Sequence, residues 1–189
     1  ILFLLLFSFL PSLSFASDRV ALVVGMAKYE TVVTLDNTVN DAISISKTLE
    51  AIGFDVRTLT DATSENFRKA IDDFAFQSET ADLALIYFAG HGVEVQGENF
   101  LIPVDANVKS NKDVQRQSVS LKQLLAAAGN ARKMRIVILD SCRDNPFGDA
   151  LDLAALIETE NSASKTRSLT GGLAKPNPDR GTLVAFAAK

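Results

Sequence analysis

The chain holds one histidine, His91, and one cysteine, Cys142. A thiol attacks a carbonyl only as the thiolate, and an imidazole that titrates near neutrality can take the thiol proton and later give it to a leaving amine. Chemistry that needs both groups has a single candidate pair here. One cysteine also excludes an internal disulfide and any multi-cysteine zinc site. Gly90 and Gly92 flank the histidine, and a residue without Cβ lets backbone approach a ligand closely. The amides of Gly92 and Cys142 are candidates to bind a developing oxyanion, where losing one donor typically costs about 3–4 kcal/mol of barrier stabilisation. Plainer readings exist. A lone cysteine after a strand is often inert core, and a histidine in a glycine-rich turn is often a surface residue. Joint placement favours chemistry, because each follows a strong apolar run, LALIYF at 83–88 and RIVIL at 135–139.

The elements that must position the pair follow from periodicity. Arg19 to Gly25 and Arg135 to Leu139 read as buried strands, Leu83 to Phe88 as a continuous apolar strand, and Phe54 to Leu59 as a further strand. Asn37 to Ile52 has helical spacing, with Gly53 as its stop. Ser64 opens a second helix with Phe67, Ala70, Ile71, Phe74 and Ala75 along one face, and Ser120 caps a third through Ala128. Residues 93–103 suit a short hairpin, and 181–189 read as a last strand. Asp72-Asp73, Lys109 to Arg116 and Glu158 to Glu160 read as solvated faces or loops. Alternating strands and helices imply an α/β layer fold with a mostly parallel sheet covered on both faces. Ligands bind at the carboxyl ends of such strands, where both clusters fall.

Composition agrees with one globular domain: 189 residues, 47% apolar, 22% charged, net charge −4. That balance offers no phosphate-binding surface, so nucleic acid is not an expected partner. Residues 1–10 are apolar save Ser8, too short a run for a span of about 20 residues. With Ser14-Phe15-Ala16 as a small-x-small cut site, 1–16 reads as a signal peptide and 17–189 as the mature domain. The expectation is a secreted or periplasmic protein without stable membrane insertion once the leader is removed. The alternative is a retained anchor. The strand at 181–189 stops on Lys189 without a turn, and more chain is expected after it.

Three motifs resemble one family. Tyr87-Phe88-Ala89-Gly90-His91-Gly92 resembles the histidine motif of the caspases, and Ile138 to Phe147 (ILDSCRDNPF) resembles the cysteine motif of bacterial metacaspase-like proteins, or orthocaspases. Val23 to Tyr29, Leu35 and Asn40-Asp41-Ala42 resemble the first strand and loop of that group. His91 precedes Cys142 by 51 residues, the caspase interval. The resemblance runs from about 19 to 147 and resumes at 181–188. It implies a caspase-like three-layer sandwich and a cysteine endopeptidase with Cys142 as nucleophile and His91 as general acid/base. Caspases place Gln two residues before the cysteine, line their pocket with basic residues and cut after Asp. This chain has Asp140 there, and resemblance to metacaspases brings Asp41 into the same pocket. Two carboxylates in a partly dry cleft favour a cation, so cleavage after Arg or Lys is expected, with Arg able to pair in bidentate fashion. Otherwise Asp41 is a first-turn carboxylate favoured by the helix dipole, and Asp140 a strand-end acceptor of loop amides. Ala89 stands where many metacaspases have Ser, which removes one polar contact from the pocket.

Some metacaspases need calcium, but no loop here has EF-hand spacing, so neither metal nor cofactor is expected. The expected partners are proteins or peptides bearing basic residues. A rival reading is a catalytically silent caspase-like module that binds basic peptides or partner domains. An α/β hydrolase or nucleotide binder lacks support, since neither G-x-S-x-G nor G-x-x-x-x-G-K-[ST] occurs. Outside a reducing cytosol the single thiol is open to oxidation, with no second cysteine to resolve it. Residues 143–180 read as a long polar loop with basic residues at Lys165, Arg167, Lys175 and Arg180, a setting where nicking is favoured. An enzyme that prefers basic residues is expected to cut this loop itself. Intact mass should show loop fragments for the wild type and none for Cys142→Ala; an uncut, active wild type removes the idea.

Overall fold

A computed structural model describes residues 18–142, 146–147 and 179–187. The expected leader, 1–16, lies outside them, as does nearly all of the expected loop. Five parallel strands form the main sheet in the order β2-β1-β3-β6-β7: β1 (Arg19–Gly25), β2 (Asp55–Thr60), β3 (Leu83–Val95), β6 (Met134–Cys142) and β7 (Thr182–Phe186). Two short strands, β4 (Glu98–Leu101) and β5 (Val119–Ser120), extend β3 in antiparallel fashion. Among the described residues the helices are α1 (Thr38–Ala51), α2 (Ser64–Ser78), α3 (Asn111–Gln117) and α4 (Leu121–Ala128).

β1 is an unbroken apolar run, buried from Val20 onward, because both of its faces are covered. Ala42 and Leu49 of α1 pack with Ala21, Val23, Leu85, Tyr87 and Ala89 on one face. α2 and α4 cover the other, where Phe67, Phe74 and Leu124 join Leu22, Phe88, Val137 and Leu139. The result is the three-layer caspase-like sandwich expected from the sequence. The chain leaves β1 for β2 through α1, then returns past β1 to β3 through α2. Strand order therefore reverses between β1 and β3, the place where open α/β sheets present their cleft.

The local signals behave as expected at most ends. Thr63 caps α2 through Asn66, and Ser120 with Gln123 forms a capping box on α4. One expectation changes. β3 does not stop before Gly90 but runs on to Val95, because its far half gains partners on both sides, β6 up to Cys142 and β4 from Leu101. Those ladders outweigh the roughly 0.5–1 kcal/mol that a glycine costs inside a strand. The hairpin then closes through Gln96 and Gly97, both at positive φ. The stretch read as a solvated face or loop, Lys109 to Arg116, is mostly the outer face of α3, capped by Ser110 and anchored by buried Val114.

Gly25 fixes how α1 meets the sheet. A Cβ there would lie 2.7 Å from the Thr38 carbonyl oxygen and 2.8 Å from the Ala42 Cβ. Gly25→Ala should therefore push the first turn of α1, with Asp41, off the end of β1 and cost about 1–3 kcal/mol. Urea unfolding against the wild type measures it; an unchanged midpoint would show that α1 shifts freely.

Candidate active site

Register places the two candidate residues side by side. In the parallel pairing of β3 with β6, His91 stands opposite Cys142, Gly90 opposite Ser141 and Ala89 opposite Asp140. On the other side of β3, Ala89 pairs with Gly25, the last residue of β1. His91, Cys142 and Asp140 thus belong to one short stretch of the carboxyl edge, beside the strand-order reversal.

The histidine is buried, 6% exposed, and held from three directions. Its ring Nε2 lies 2.7 Å from the Val33 carbonyl oxygen. Its backbone N–H donates to the Tyr29 hydroxyl at 2.8 Å, and the Tyr29 ring packs against the imidazole with centroids 4.6 Å apart. A carbonyl only accepts, so Nε2 carries the proton in this contact. In the neutral ring Nδ1 is then the unprotonated, basic nitrogen, and it has no hydrogen-bond partner among the described residues. Burial lowers the imidazole pKa below its ordinary value, partly offset by the Val33 carbonyl. The arrangement favours a neutral ring with Nδ1 as its open nitrogen. Gly90, read from the sequence as room for a ligand, has another use: a Cβ there would sit 2.7 Å from the Tyr29 hydroxyl. Val33 and Tyr29 were missed by the sequence reading. A backbone carbonyl leaves no trace in side-chain type, and Tyr29 lies far from His91 along the chain.

Gly92 lies in β3 opposite Leu101 of β4, next to the bond from the Ile102 amide to the His91 carbonyl. That spacing makes Gly92–Leu101 a non-hydrogen-bonded pair, so the Gly92 N–H faces away from β4, towards β6. The Gly92 amide and the end of β6 at Cys142 therefore share one seam.

Asp140 is held by a residue that the sequence reading took only as part of a motif. Tyr87, buried in β3, donates from its hydroxyl to Asp140 at 3.1 Å. Burial raises the phenol pKa far above its ordinary value, and the charges of Asp140 and Asp41 add to the shift, so Tyr87 stays a donor throughout the neutral range. Asp41 sits exposed in the first turn of α1. Two surface cavities of about 270 and 290 Å³ lie elsewhere, one between α2 and α4, the other beside Asp18, Asp82 and Met134. Neither is lined by His91 or Cys142.

The caspase domain family matches residues 18–187. The chain is 30% identical over 149 residues to human mucosa-associated lymphoid tissue lymphoma translocation protein 1, and equally to its mouse homolog. That match covers 77% of this chain but only 18% of either relative's length. Among solved structures, protein GSU0716 from Geobacter sulfurreducens superposes with a TM-score of 0.55 at 17% identity, over 82% of this chain and 70% of the other. The Drosophila initiator caspase Dronc superposes with a TM-score of 0.54 at 12% identity, over 69% and 51%.

Because His91 is the chain's only histidine, its titration is readable by NMR in tag-free Cys142→Ala protein. The midpoint should fall below the ordinary 6.5. The unfolded chain then takes up a proton that the folded one refuses. The stability gained by keeping this ring neutral is complete above about 6.5 and is lost as pH falls through the lower, folded value. A midpoint at or above 6.5 would contradict the buried, carbonyl-bound ring.

Proposed function

The chain belongs to the caspase domain family of peptidases, and from that premise we propose that it is a cysteine endopeptidase that cuts after Arg or Lys. One observation carries the reading: the only cysteine and the only histidine share a register position on adjacent parallel strands, and the histidine's far nitrogen is already committed to the Val33 carbonyl. In the proposed mechanism His91 Nδ1 takes the thiol proton of Cys142, and the thiolate attacks the scissile carbonyl carbon. The oxyanion receives the Gly92 and Cys142 amides. His91 then protonates the leaving amine, and a water molecule, activated by the same nitrogen, hydrolyses the thioester.

Asp140 and Asp41 form the specificity site. Both carry charge towards Tyr87, and a basic side chain lying between them meets two carboxylates instead of one. The Tyr87 hydroxyl holds one oxygen of Asp140 and leaves the other for the substrate. The proposed substrates are proteins or peptides with an accessible Arg or Lys.

One feature favours the second reading, a silent module that binds basic peptides. The β3–β6 ladder extends to His91 and Cys142 themselves, so the amides meant for an oxyanion lie within a closed seam. On the peptidase reading the last rung opens when substrate binds.

Paired peptides differing only in Arg or Asp before the scissile bond, assayed under reducing conditions, separate the readings. Selective cleavage after Arg, absent in Cys142→Ala, is expected. Tyr87→Phe, which loses a hydrogen bond to a charged acceptor, should raise KM for the Arg peptide about tenfold with little change in kcat. Cleavage after Asp would overturn the acidic pocket, and binding of the Arg peptide without turnover would favour the silent module.

A further inference from the structure

Asp61, at the end of β2, is more than 25 residues from either candidate catalytic position in sequence, yet its side chain reaches the loop that holds His91. Its Oδ1 accepts the amides of Ala27 at 2.7 Å and Lys28 at 2.9 Å. Its own amide donates to the Gly25 carbonyl at 2.9 Å, and it takes a left-handed backbone with φ 47°. Aspartate and asparagine tolerate that region better than other residues with a Cβ. The two captured amides immediately precede Tyr29, and the same loop turns back at Leu35, whose amide donates to the Ala27 carbonyl. Between these points lie the Tyr29 hydroxyl and the Val33 carbonyl, the two groups that bind His91. Val33 is 75% exposed, so its side chain packs against little that would hold its carbonyl in place. Glu30 and Thr31 tie the middle of the loop to the Val104 and Ala106 carbonyls, and Asp61 fixes its base.

We propose that Asp61 is a positioning residue for the base: by gathering the Ala27 and Lys28 amides it aims the loop so that Val33 keeps the His91 proton on Nε2 and leaves Nδ1 free. The inference deepens the peptidase reading and rests on His91 acting as its base. Its structural half, however, is testable without turnover. Electrostatics around the ring are simple. The groups that face it among the described residues are the Tyr29 phenol and the uncharged Val33 carbonyl, and Cys142, its register partner, is replaced in a Cys142→Ala background.

Asp61→Gly isolates the acceptor, since glycine accepts the positive φ but offers no oxygen. Asp61→Asn keeps both an Oδ1 acceptor and tolerance of that backbone, and serves as the rescue. In the Cys142→Ala background, the parent should show a protected, low-field Nε2 proton and a depressed imidazole midpoint. Asp61→Gly should lose that proton signal and move the midpoint up towards 6.5, whereas Asp61→Asn should keep both. With Cys142 intact, Asp61→Gly should lower kcat for the Arg peptide at least about tenfold at similar KM, as expected for a misplaced reacting group, and Asp61→Asn should restore it. Melting curves and amide spectra identify the folded variants. A folded Asp61→Gly with the Nε2 proton and midpoint of the parent overturns the proposal, as does an Asp61→Asn that behaves like Asp61→Gly. If the wild type cuts no basic peptide, the peptidase reading fails alone while the NMR comparison still decides the role of Asp61 in holding the ring.

Discussion

The carboxyl edge depends on the parallel pairing of β3 with β6 in one register. That pairing sets His91 against Cys142 and Ala89 against Asp140. A slip of one residue would bring Ser141 beside His91 and reverse which face each partner of β6 presents. Apolar pattern alone defends this register weakly, because β6 is apolar on both faces, with Ile136 and Ile138 towards α1 and Val137 and Leu139 towards α2 and α4. The hydrogen bond from Tyr87 across to Asp140 adds a polar mark that a slipped pairing would lose inside the sheet. A buried hydroxyl left without its partner costs on the order of 1–3 kcal/mol. One contact therefore helps fix both the strand alignment and the orientation of a carboxylate at the proposed specificity site.

The buried imidazole is the second consequence. Removing His91 from water favours its neutral form, and the Val33 carbonyl then selects which nitrogen bears the proton. Neither group supplies charge. The state of the proposed base is set by desolvation and a backbone acceptor, unlike a triad in which a carboxylate orients the ring. This leaves the nearby carboxylates, Asp41 and Asp140, for another task, since no described contact joins them to His91.

Much of this was legible in the sequence, and the reasons for the rest are physical. The strands announced themselves because two-sided burial demands unbroken apolar runs such as VALVV and LALIYF. The pairing of His91 with Cys142 was foreseeable because each follows such a run and parallel strands in a doubly covered sheet end along one edge. The continuation of β3 through Gly90-His91-Gly92 was not legible. Glycine disfavours a strand locally, and only partners distant in sequence, β4 and β6, supply the compensating bonds. α3 was left open between a solvated face and a loop for a similar reason: a two-turn helix rich in Lys, Asp, Arg and Gln looks alike in both until buried Val114 anchors it. Val33 escaped notice because its contribution is a carbonyl, which every residue has.

Hydrogen-bond accounting sorts three aspartates that look alike in the sequence. Asp61 gives one oxygen to two amides at short range, a donor set that is satisfied inside the protein and asks nothing of a ligand. Asp140 receives one donor, Tyr87, among the described residues. An ionised carboxylate has room for about four donors, so Asp140 keeps most of its capacity. Asp41, at the exposed first turn of α1, has the helix end nearby but no side-chain donor among the described residues. Unspent acceptor capacity on two carboxylates, close enough for both charges to act on one phenol, is favourable only if water or a cation fills it. Water fills it in the free protein at little cost. A substrate guanidinium brings several fixed donors and a positive charge at once, which is why the leftover capacity of this pair, rather than the mere presence of acidic residues, argues for a basic side chain at the proposed specificity site.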